Sequence, residues 1–194
     1  HMKIILASTS PYRRRLLERL QLPFRCVSPE TDETPLPDEA PAALAVRLAR
    51  AKAESIARLQ PGALVIGSDQ VASIEGSIMG KPGNFNNASA QLRSSSGREV
   101  VFYTAIALIA PNRDQERFHV ERFCVRFRAL SDSQIANYLH REQPYDCAGS
   151  FKVEGLGIAL FESLIGDDPT SLEGLPLIKL TRLLGELGVD ILHN

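Results

Sequence analysis

The chain is 194 residues long, and its 22 basic and 23 acidic residues give a formal net charge of -1. This balance gives the whole molecule no net attraction to nucleic acid or to an anionic membrane, so any anion-binding site must be local. Hydrophobic residues make up 44% of the chain. We therefore expect one sizeable core and a single domain over residues 1–194.

Neither the cysteines nor the first residues indicate secretion. Cys26, Cys124 and Cys147 are widely spaced and form no CxxC motif, which argues against a disulfide framework or a zinc site and fits a reducing compartment. The apolar run from Ile4 to Ala7 is far too short for a signal peptide or a membrane span. His1, which precedes Met2, is interpreted as a tag remnant.

Hydrophobic periodicity and turn residues predict alternating strands and helices. In the first half we expect a strand over 3–7, a helix from Pro11, a strand over 24–27, an acidic loop over 28–41, a helix over 42–59 and a strand over 63–74. In the second half we expect a helix over 86–94, antiparallel strands over 98–110 and 116–128, a helix from Ser131 to His140, a strand over 158–164 and a helix over 175–187. This order predicts an α/β fold with a mixed sheet in two lobes.

The segment from Ser8 to Arg14 lies where the first predicted strand turns into the first helix. Free amides at the helix N-terminus, the hydroxyls of Ser8 and Ser10, and the paired Arg13 and Arg14 suit phosphate oxygens. The alternative is an ordinary capped helix with a solvated basic face. The segment is not a Walker A loop, because it lacks the glycines and the GK[ST] ending.

Three carboxylates are candidates for metal binding or proton transfer. Asp69 follows the apolar residues 63–66, and a carboxylate just past a buried strand is well placed to hold a metal or act as a base. The alternative is a loop carboxylate that caps a turn. Glu33, in the acidic loop, and Glu154, in the glycine-rich segment 147–157, are candidates by residue type alone.

Two lysines are candidate phosphate ligands. Lys81 stands between Gly80 and Pro82, which restrict its approach, so it can serve as a point charge for phosphate. Lys52 lies on the predicted helix over 42–59. For Lys52 the alternative is a solvated lysine on a helix surface.

Several short motifs occur together along the chain in one order. They are Ser8-Thr9-Ser10-Pro11-Tyr12-Arg13-Arg14, Asp32-Glu33, Arg47 with Lys52-Ala53, Gly67-Ser68-Asp69, Gly80-Lys81-Pro82, Ala148-Gly149-Ser150 and Gly174-Leu175-Pro176. With these motifs the chain resembles the Maf family of nucleotide pyrophosphatases from Lys3 to about Leu187. The resemblance implies an elongated α/β fold similar to that of the inosine triphosphate pyrophosphatases, with a cleft between two lobes. It also implies hydrolysis of a nucleoside triphosphate to a monophosphate and diphosphate, a cytoplasmic location and often a homodimer.

The resemblance further implies roles for the candidate residues. Asp69 is the implied catalytic base, and the other implied charged residues of the cleft are Glu33, Lys52 and Lys81. The implied phosphate contacts are Ser8, Ser10, Arg13 and Arg14. A divalent cation (magnesium, manganese or cobalt) is implied as cofactor, and we expect Asp69 and Glu33 to hold it through carboxylate oxygens.

Three positions distinguish substrate groups within the family, and here they are Tyr12, Gln70 and Glu154. The pyrimidine-preferring group carries arginine, threonine and glutamine there. This chain is instead similar to the 7-methyl-GTP pyrophosphatase subfamily, with tyrosine in place of tryptophan at position 12. Because 7-methylguanine is cationic, Tyr12 can offer it a cation-π contact, Glu154 can accept hydrogen bonds from it, and Gln70 is expected to orient the base or sugar.

Other functions remain as alternatives. A pyrimidine triphosphate pyrophosphatase of the same family, or a non-catalytic nucleotide-binding regulator of cell division, would use the same cleft. Catalysis is favoured over binding alone, because a carboxylate base repels an anionic ligand unless a metal intervenes. Nucleic-acid binding, suggested by Arg13-Arg14-Arg15, is disfavoured by the near-neutral charge.

Overall fold

The computed structural model describes residues 2–193, so His1, interpreted as a tag remnant, lies outside the described residues. The strands are β1 (Lys3–Ala7), β2 (Arg25–Cys26), β3 (Ala63–Ile74), β4 (Ser77–Met79), β5 (Glu99–Ile109), β6 (Glu116–Phe127) and β7 (Phe161–Ile165). The α-helices are α1 (Pro11–Glu18), α2 (Pro41–Ala57), α3 (Phe85–Ser95), α4 (Asp132–Glu142), α5 (Thr170–Glu173) and α6 (Leu177–Glu186). Within residues 2–193, no helix has the length and apolar character needed to cross a membrane.

The strands form one mixed sheet in the order β2-β1-β3-β5-β6-β7, with β4 added beside β3. The pairs β2-β1 and β1-β3 are parallel, and the remaining pairs are antiparallel. Along β3, pairing with β1 ends at Gly67 and pairing with β4 begins at Ala72. Within residues 2–193, one edge of β3 is therefore free of strand partners between Gly67 and Ala72.

The hydrophobic core defines two lobes along this sheet. In the first lobe, α1 and α6 pack with Leu6 and Ile66 on one face, whereas α2 packs with Ile5 and Val65 on the other. This division follows from the strand geometry, because successive side chains point to opposite faces. In the second lobe, α3 and α4 pack against the far part of the sheet around Phe102.

The prediction of a mixed α/β fold is confirmed, and so is the antiparallel pairing of β5 with β6. The predicted helix start at Ser131 is also confirmed. Its hydroxyl accepts the backbone N–H of Gln134 at 3.1 Å, and the Gln134 side chain accepts the N–H of Ser131 at 2.9 Å. This reciprocal capping box explains why α4 begins there.

Two local predictions were wrong, and one short helix was missed. The strand predicted from residue 158 begins at Phe161, because Leu156–Leu160 forms a 3-10 helix whose first N–H groups bond to the side chain of Glu142. The four-residue helix α5 was missed, since one turn is too short to show a periodicity. Asp69 lies within β3 and not past its end, because β5 pairs with β3 through this region.

Candidate active site

A cleft of about 540 Å³ opens between the lobes at the free edge of β3. Its walls come from β3, the start of α1, one face of α2, the corner between α5 and α6, and the segment 146–154. The predicted site residues that line it are Ser10, Tyr12, Arg13, Glu33, Lys52, Asp69, Gln70, Lys81 and Glu154. A larger groove of about 790 Å³, between α2 and the strands β5 and β6, contains none of the predicted site residues.

Lys52 lies between two carboxylates in this cleft. Its Nζ is 2.9 Å from Oδ1 of Asp69 and 2.8 Å from Oε1 of Glu33. The Lys52 and Asp69 side chains are only 11% and 10% exposed, whereas that of Glu33 is 59% exposed. Burial raises the pKa of Asp69, although the charge of Lys52 opposes this shift. The hydrogen bond from Lys52 lowers the pKa of Glu33, so the environment shifts the two carboxylates in opposite directions.

A glycine allows Lys52 to reach Asp69. A Cβ atom at Gly67 would clash with the carbonyl oxygen of Ala49 and would lie 2.7 Å from the amide nitrogen of Ala53. The backbone of α2 therefore lies directly against β3 at Gly67. Because of this close packing, Lys52, on the adjoining turn of α2, lies over Asp69 of β3.

Arg47 holds the loop that carries Glu33. Its guanidinium donates to both carboxylate oxygens of Glu39, at 2.7 and 2.9 Å, and to the carbonyl oxygen of Thr34 at 3.1 Å. The bonds from Arg47 lower the pKa of Glu39 to about 2. The loop is thereby fastened to α2, and Glu33 is held beside Lys52. Sequence reasoning included Arg47 in a motif but assigned it no role.

The start of α1 presents Arg13 to the cleft. The hydroxyl of Ser10 caps the helix by accepting the backbone N–H of Arg13 at 3.2 Å. Nε of Arg13 donates to the carbonyl oxygen of Gly174 at 2.8 Å, which fixes the guanidinium against the α5–α6 corner. Burial lowers the pKa of Arg13, and the nearby carboxylates Asp69 and Glu33 oppose this effect. Within residues 2–193 its two terminal nitrogens make no hydrogen bond.

Two predicted phosphate contacts, Ser8 and Arg14, lie outside the cleft lining. Ser8 is buried, and its hydroxyl accepts the backbone N–H of Ser10 at 3.0 Å, which shapes the turn between β1 and α1. Arg14 is exposed and pairs with Glu18 at 3.3 Å along the outer face of α1. The structure therefore brings Ser10 and Arg13 to the cleft surface, but neither Ser8 nor Arg14.

We use the name central ion cluster for Arg13, Glu33, Lys52 and Asp69. Lys81 also lines the cleft, where it is exposed and near enough to help lower the pKa of Glu33. The cluster places cations beside two carboxylates whose pKa values are shifted in opposite directions. Such an arrangement can bind a polyanion and accept a proton within one cleft.

The acidic rim of the same cleft consists of Asp146, Glu154 and Glu173. Asp146 accepts the hydroxyl hydrogen of Tyr12 at 3.1 Å. Glu154 is exposed, and Glu173 is half-buried. Burial, together with the charge of Glu154, raises the pKa of Glu173. Sequence reasoning missed Asp146 and Glu173, although Glu173 directly precedes the motif Gly174-Leu175-Pro176.

The ring of Tyr12 already attracts cations. Nζ of Lys152 lies 5.7 Å from the ring centroid, and Cζ of Arg15 lies 5.2 Å from it. Both distances are within the range of cation-π attraction. The face of Tyr12 therefore suits a positively charged group.

Gln70 faces inward, toward α5. Its Nε2 donates to Oγ1 of Thr104 at 3.1 Å and to the carbonyl oxygens of Ser171 and Leu172 at 3.0 and 3.2 Å. These bonds connect β3 and β5 to the short helix that carries Glu173. Gln70 thus lines the cleft while its amide nitrogen is fully occupied.

A protein-family model described as "Maf-like protein" matches residues 3–187 of this chain. The chain belongs to the Maf family. Two similar Maf relatives carry the name 7-methyl-GTP pyrophosphatase. That of Colwellia psychrerythraea strain 34H is 53% identical over 189 residues, which are 97% of this chain and 94% of the relative. That of Bordetella avium strain 197N is 55% identical over 192 residues, which are 99% of this chain and 96% of the relative.

Among solved structures, a HAM1 protein from Coxiella burnetii matches this Maf chain with a TM-score of 0.53 and 16% identity. The match covers 96% of this chain and 100% of the HAM1 chain. At this identity the likeness concerns the fold alone. It agrees with the mixed α/β fold that the sequence predicts.

The cleft of this Maf protein offers two carboxylates, Asp69 and Glu33, to a hard divalent cation. Within residues 2–193, no three His, Cys, Asp or Glu side chains gather into a metal-binding group. Asp69 and Glu33 each bond to Lys52 through one oxygen, and their second oxygens make no hydrogen bond within the same range. Magnesium is often held by one or two carboxylates together with substrate phosphates. The two free carboxylate oxygens match that pattern.

Proposed function

We propose that this protein hydrolyses 7-methyl-GTP to 7-methyl-GMP and diphosphate. The observation that carries the proposal is the pairing, in one cleft, of the central ion cluster with the acidic rim. The central ion cluster suits a triphosphate next to a general base, and the acidic rim suits a cationic purine ring. The names of relatives that are 53% and 55% identical over nearly the whole chain support the same reaction.

In the proposed reaction, Asp69 activates a water molecule. The carboxylate takes one proton from the water, whose oxygen forms a bond to the α-phosphorus. The bond between that phosphorus and the oxygen bridging to the β-phosphorus breaks, and diphosphate leaves with the bonding electron pair. The raised pKa of Asp69 suits this task, because a more basic carboxylate accepts a proton more readily.

Cations from three elements offset the charge of the triphosphate. Arg13 has two free terminal nitrogens, and it lies at the N-terminus of α1, where backbone amides also favour anions. Lys52 and Lys81 add charge from α2 and from the segment after β4. Loss of one such donor typically slows an enzyme about 100-fold or more, because the donor acts on charge that develops in the transition state.

We also propose that Asp69 and Glu33 hold a divalent cation such as magnesium, manganese or cobalt. Their hard oxygen donors support this assignment. When bound, such a cation would neutralise phosphate charge and withdraw electrons from the phosphorus. Lys52, which bonds to both carboxylates, then keeps them ionised and oriented.

The methylated base is assigned to Tyr12 and the acidic rim. Methylation at the 7-position gives guanine a positive charge, which Tyr12 favours by cation-π attraction. Glu154 can accept hydrogen bonds from the imino and amino groups of the ring. A base that stacks on Tyr12 replaces the ammonium group of Lys152, whose flexible stem allows it to move aside.

The reaction is tested by product analysis with the native protein. Incubation with 7-methyl-GTP and magnesium is expected to release diphosphate and 7-methyl-GMP in equal amounts, and chelation of the metal is expected to stop it. Stoichiometric binding without products would favour a nucleotide-binding regulator. Release of orthophosphate instead of diphosphate would show attack at the γ-phosphorus and contradict the assignment.

We place this reaction in the cytoplasm. Cys26, Cys124 and Cys147 are all free thiols in the structure, which supports a reducing compartment. The homodimer expected from the family resemblance stays a prediction.

A further inference from the structure

Glu173 is a carboxylate without a partner in the substrate cleft. It is half-buried, and within residues 2–193 its side chain makes neither a hydrogen bond nor an ion pair. The charged groups near it are Glu154, Asp168 and Arg19. Asp168 is occupied by bonds to Thr170 and to the N–H of Ile178, and it is itself buried. A desolvated, unpaired carboxylate favours a cationic ligand.

The backbone on both sides of Glu173 is fixed. The carbonyl oxygen of Leu172 accepts from Gln70 at 3.2 Å, and that of Gly174 accepts from Arg13 at 2.8 Å. The hydroxyl of Ser68 also donates to Gly174, at 3.3 Å. Glu173 therefore lies on an anchored segment, and Glu154 lines the same cleft near enough for its charge to act on Glu173.

We propose that Glu173 is a further specificity-determining residue, which forms with Glu154 a two-carboxylate receptor for a cationic purine ring. In this receptor Gln70 positions Glu173. This inference rests on the proposed function. It assigns Gln70 an indirect role, because the amide nitrogen that could have bonded to a base is bonded to α5.

The physical basis is the repulsion between the two carboxylates in the free protein. A base with a positive ring lowers this repulsion and is attracted by both charges, whereas a neutral base of nearly the same shape is not. Charge thus distinguishes 7-methyl-GTP from GTP. Hydrogen bonds to the edge of the ring distinguish them less, since methylation leaves the amino and imino donors in place.

The test compares kcat/KM for 7-methyl-GTP with kcat/KM for GTP in five proteins. They are the native protein, Glu173→Gln, Gln70→Met, the double variant and the control Glu162→Gln, which removes an exposed carboxylate that pairs with Arg126. The thermal midpoint of each is measured alongside. In Glu173→Gln the preference for the methylated nucleotide is expected to fall about tenfold, mainly through KM, as one lost charge contact of moderate strength predicts.

A double-mutant cycle tests whether Gln70 positions Glu173. Gln70→Met is expected to weaken the preference in the native background and to add little in the Glu173→Gln background. Additive effects would overturn the positioning role of Gln70. If Gln70→Met does not fold, Gln70→Glu, which keeps the side-chain length but replaces the donor by a carboxylate, takes its place in the cycle.

The outcomes separate this inference from the proposed function. A native protein with no preference for 7-methyl-GTP over GTP would reject both. A clear native preference that Glu173→Gln leaves unchanged would reject the receptor alone. An equal loss for both nucleotides in Glu173→Gln would also reject it, because such a loss reports a structural role. The Glu162→Gln control is expected to keep the native ratio.

Discussion

The central ion cluster and the acidic rim are built in opposite ways. The cluster is internally paired, with Lys52 bonded to Asp69 and Glu33, and its main parts stand on β3, α1 and α2. In the rim, Glu154 and Glu173 have no bonding partner within residues 2–193, and Glu154 lies in a segment with little regular structure. Paired charges on regular elements are pre-organised for a reaction, whereas unpaired charges are available to bind a ligand of opposite charge. Changes in the cluster should therefore alter rate, and changes in the rim should alter preference.

The largest effect is expected from Asp69→Asn. An amide cannot take the proton from water, so kcat should fall at least about 100-fold, in the range typical of a lost general base. The variant should stay folded, because an amide keeps the size of the carboxylate and can still accept from Lys52. Steady-state diphosphate release and a thermal melt check both points. Near-normal metal-dependent activity in the folded variant would remove Asp69 from the role of base.

Lys52→Met is expected to slow turnover about 100-fold and to move its pH profile. The charge of Lys52 lowers the pKa of Asp69, so its removal should raise that pKa further. A base is active only when deprotonated, and activity should therefore fall off at a higher pH on the acid side than in the native protein. Lys3→Met removes an exposed lysine outside the cleft and serves as the control. An unshifted acid limb would contradict the coupling of Lys52 to the base.

Gly67→Ala tests the packing that brings α2 to β3. The new methyl group would meet the backbone of Ala49 and Ala53, so overpacking should cost about 1–3 kcal/mol of unfolding free energy. For a chain of this size the melting temperature should fall by roughly 3–10 °C. Gly62→Ala is the matched control, because no atom lies within 4 Å of a Cβ there. Equal melting temperatures for the two variants would show that α2 accommodates the methyl group without loss of unfolding free energy.

The smallest expected change is an increase in the preference for the methylated nucleotide at the acidic rim. Lys152→Met removes a cation that occupies the face of Tyr12, so the preference for 7-methyl-GTP over GTP should rise about threefold, at the lower end of cation-π energies. The ratio of kcat/KM for 7-methyl-GTP to kcat/KM for GTP measures this preference. Lys179→Met, on α6, is the control. A reduced preference would mean that Lys152 assists the methylated base and does not compete with it.

Much of the fold could be predicted because its signals are local. The strand over 63–74 matches β3 in full, and Ser131 carries its capping partner three residues away. The strand predicted from residue 158 failed for a reason that is not local. Glu142 binds the backbone of residues 156 and 157 from another helix, and no periodicity in the apolar run records that contact.

The site could be predicted as a list of residues more readily than as a geometry. The motifs named most of the charged residues of the central ion cluster, since hydroxyls, arginines and carboxylates at element ends are recognisable in sequence. They could not show that Arg14 lies on the outer face of α1, because the two adjacent arginines differ only in helical direction. Glu173 was missed because the tertiary fold alone brings it near Glu154 in the cleft.

The most direct test of the central claim is a comparison of kcat/KM for diphosphate release from 7-methyl-GTP, GTP, dTTP and UTP by the native protein. The acidic rim and the face of Tyr12 predict that 7-methyl-GTP is the best of the four, by roughly 100-fold over GTP, because only its base carries a positive charge. Equal or faster hydrolysis of dTTP or UTP would contradict the account, since neither pyrimidine would gain from Glu154, Glu173 or the face of Tyr12.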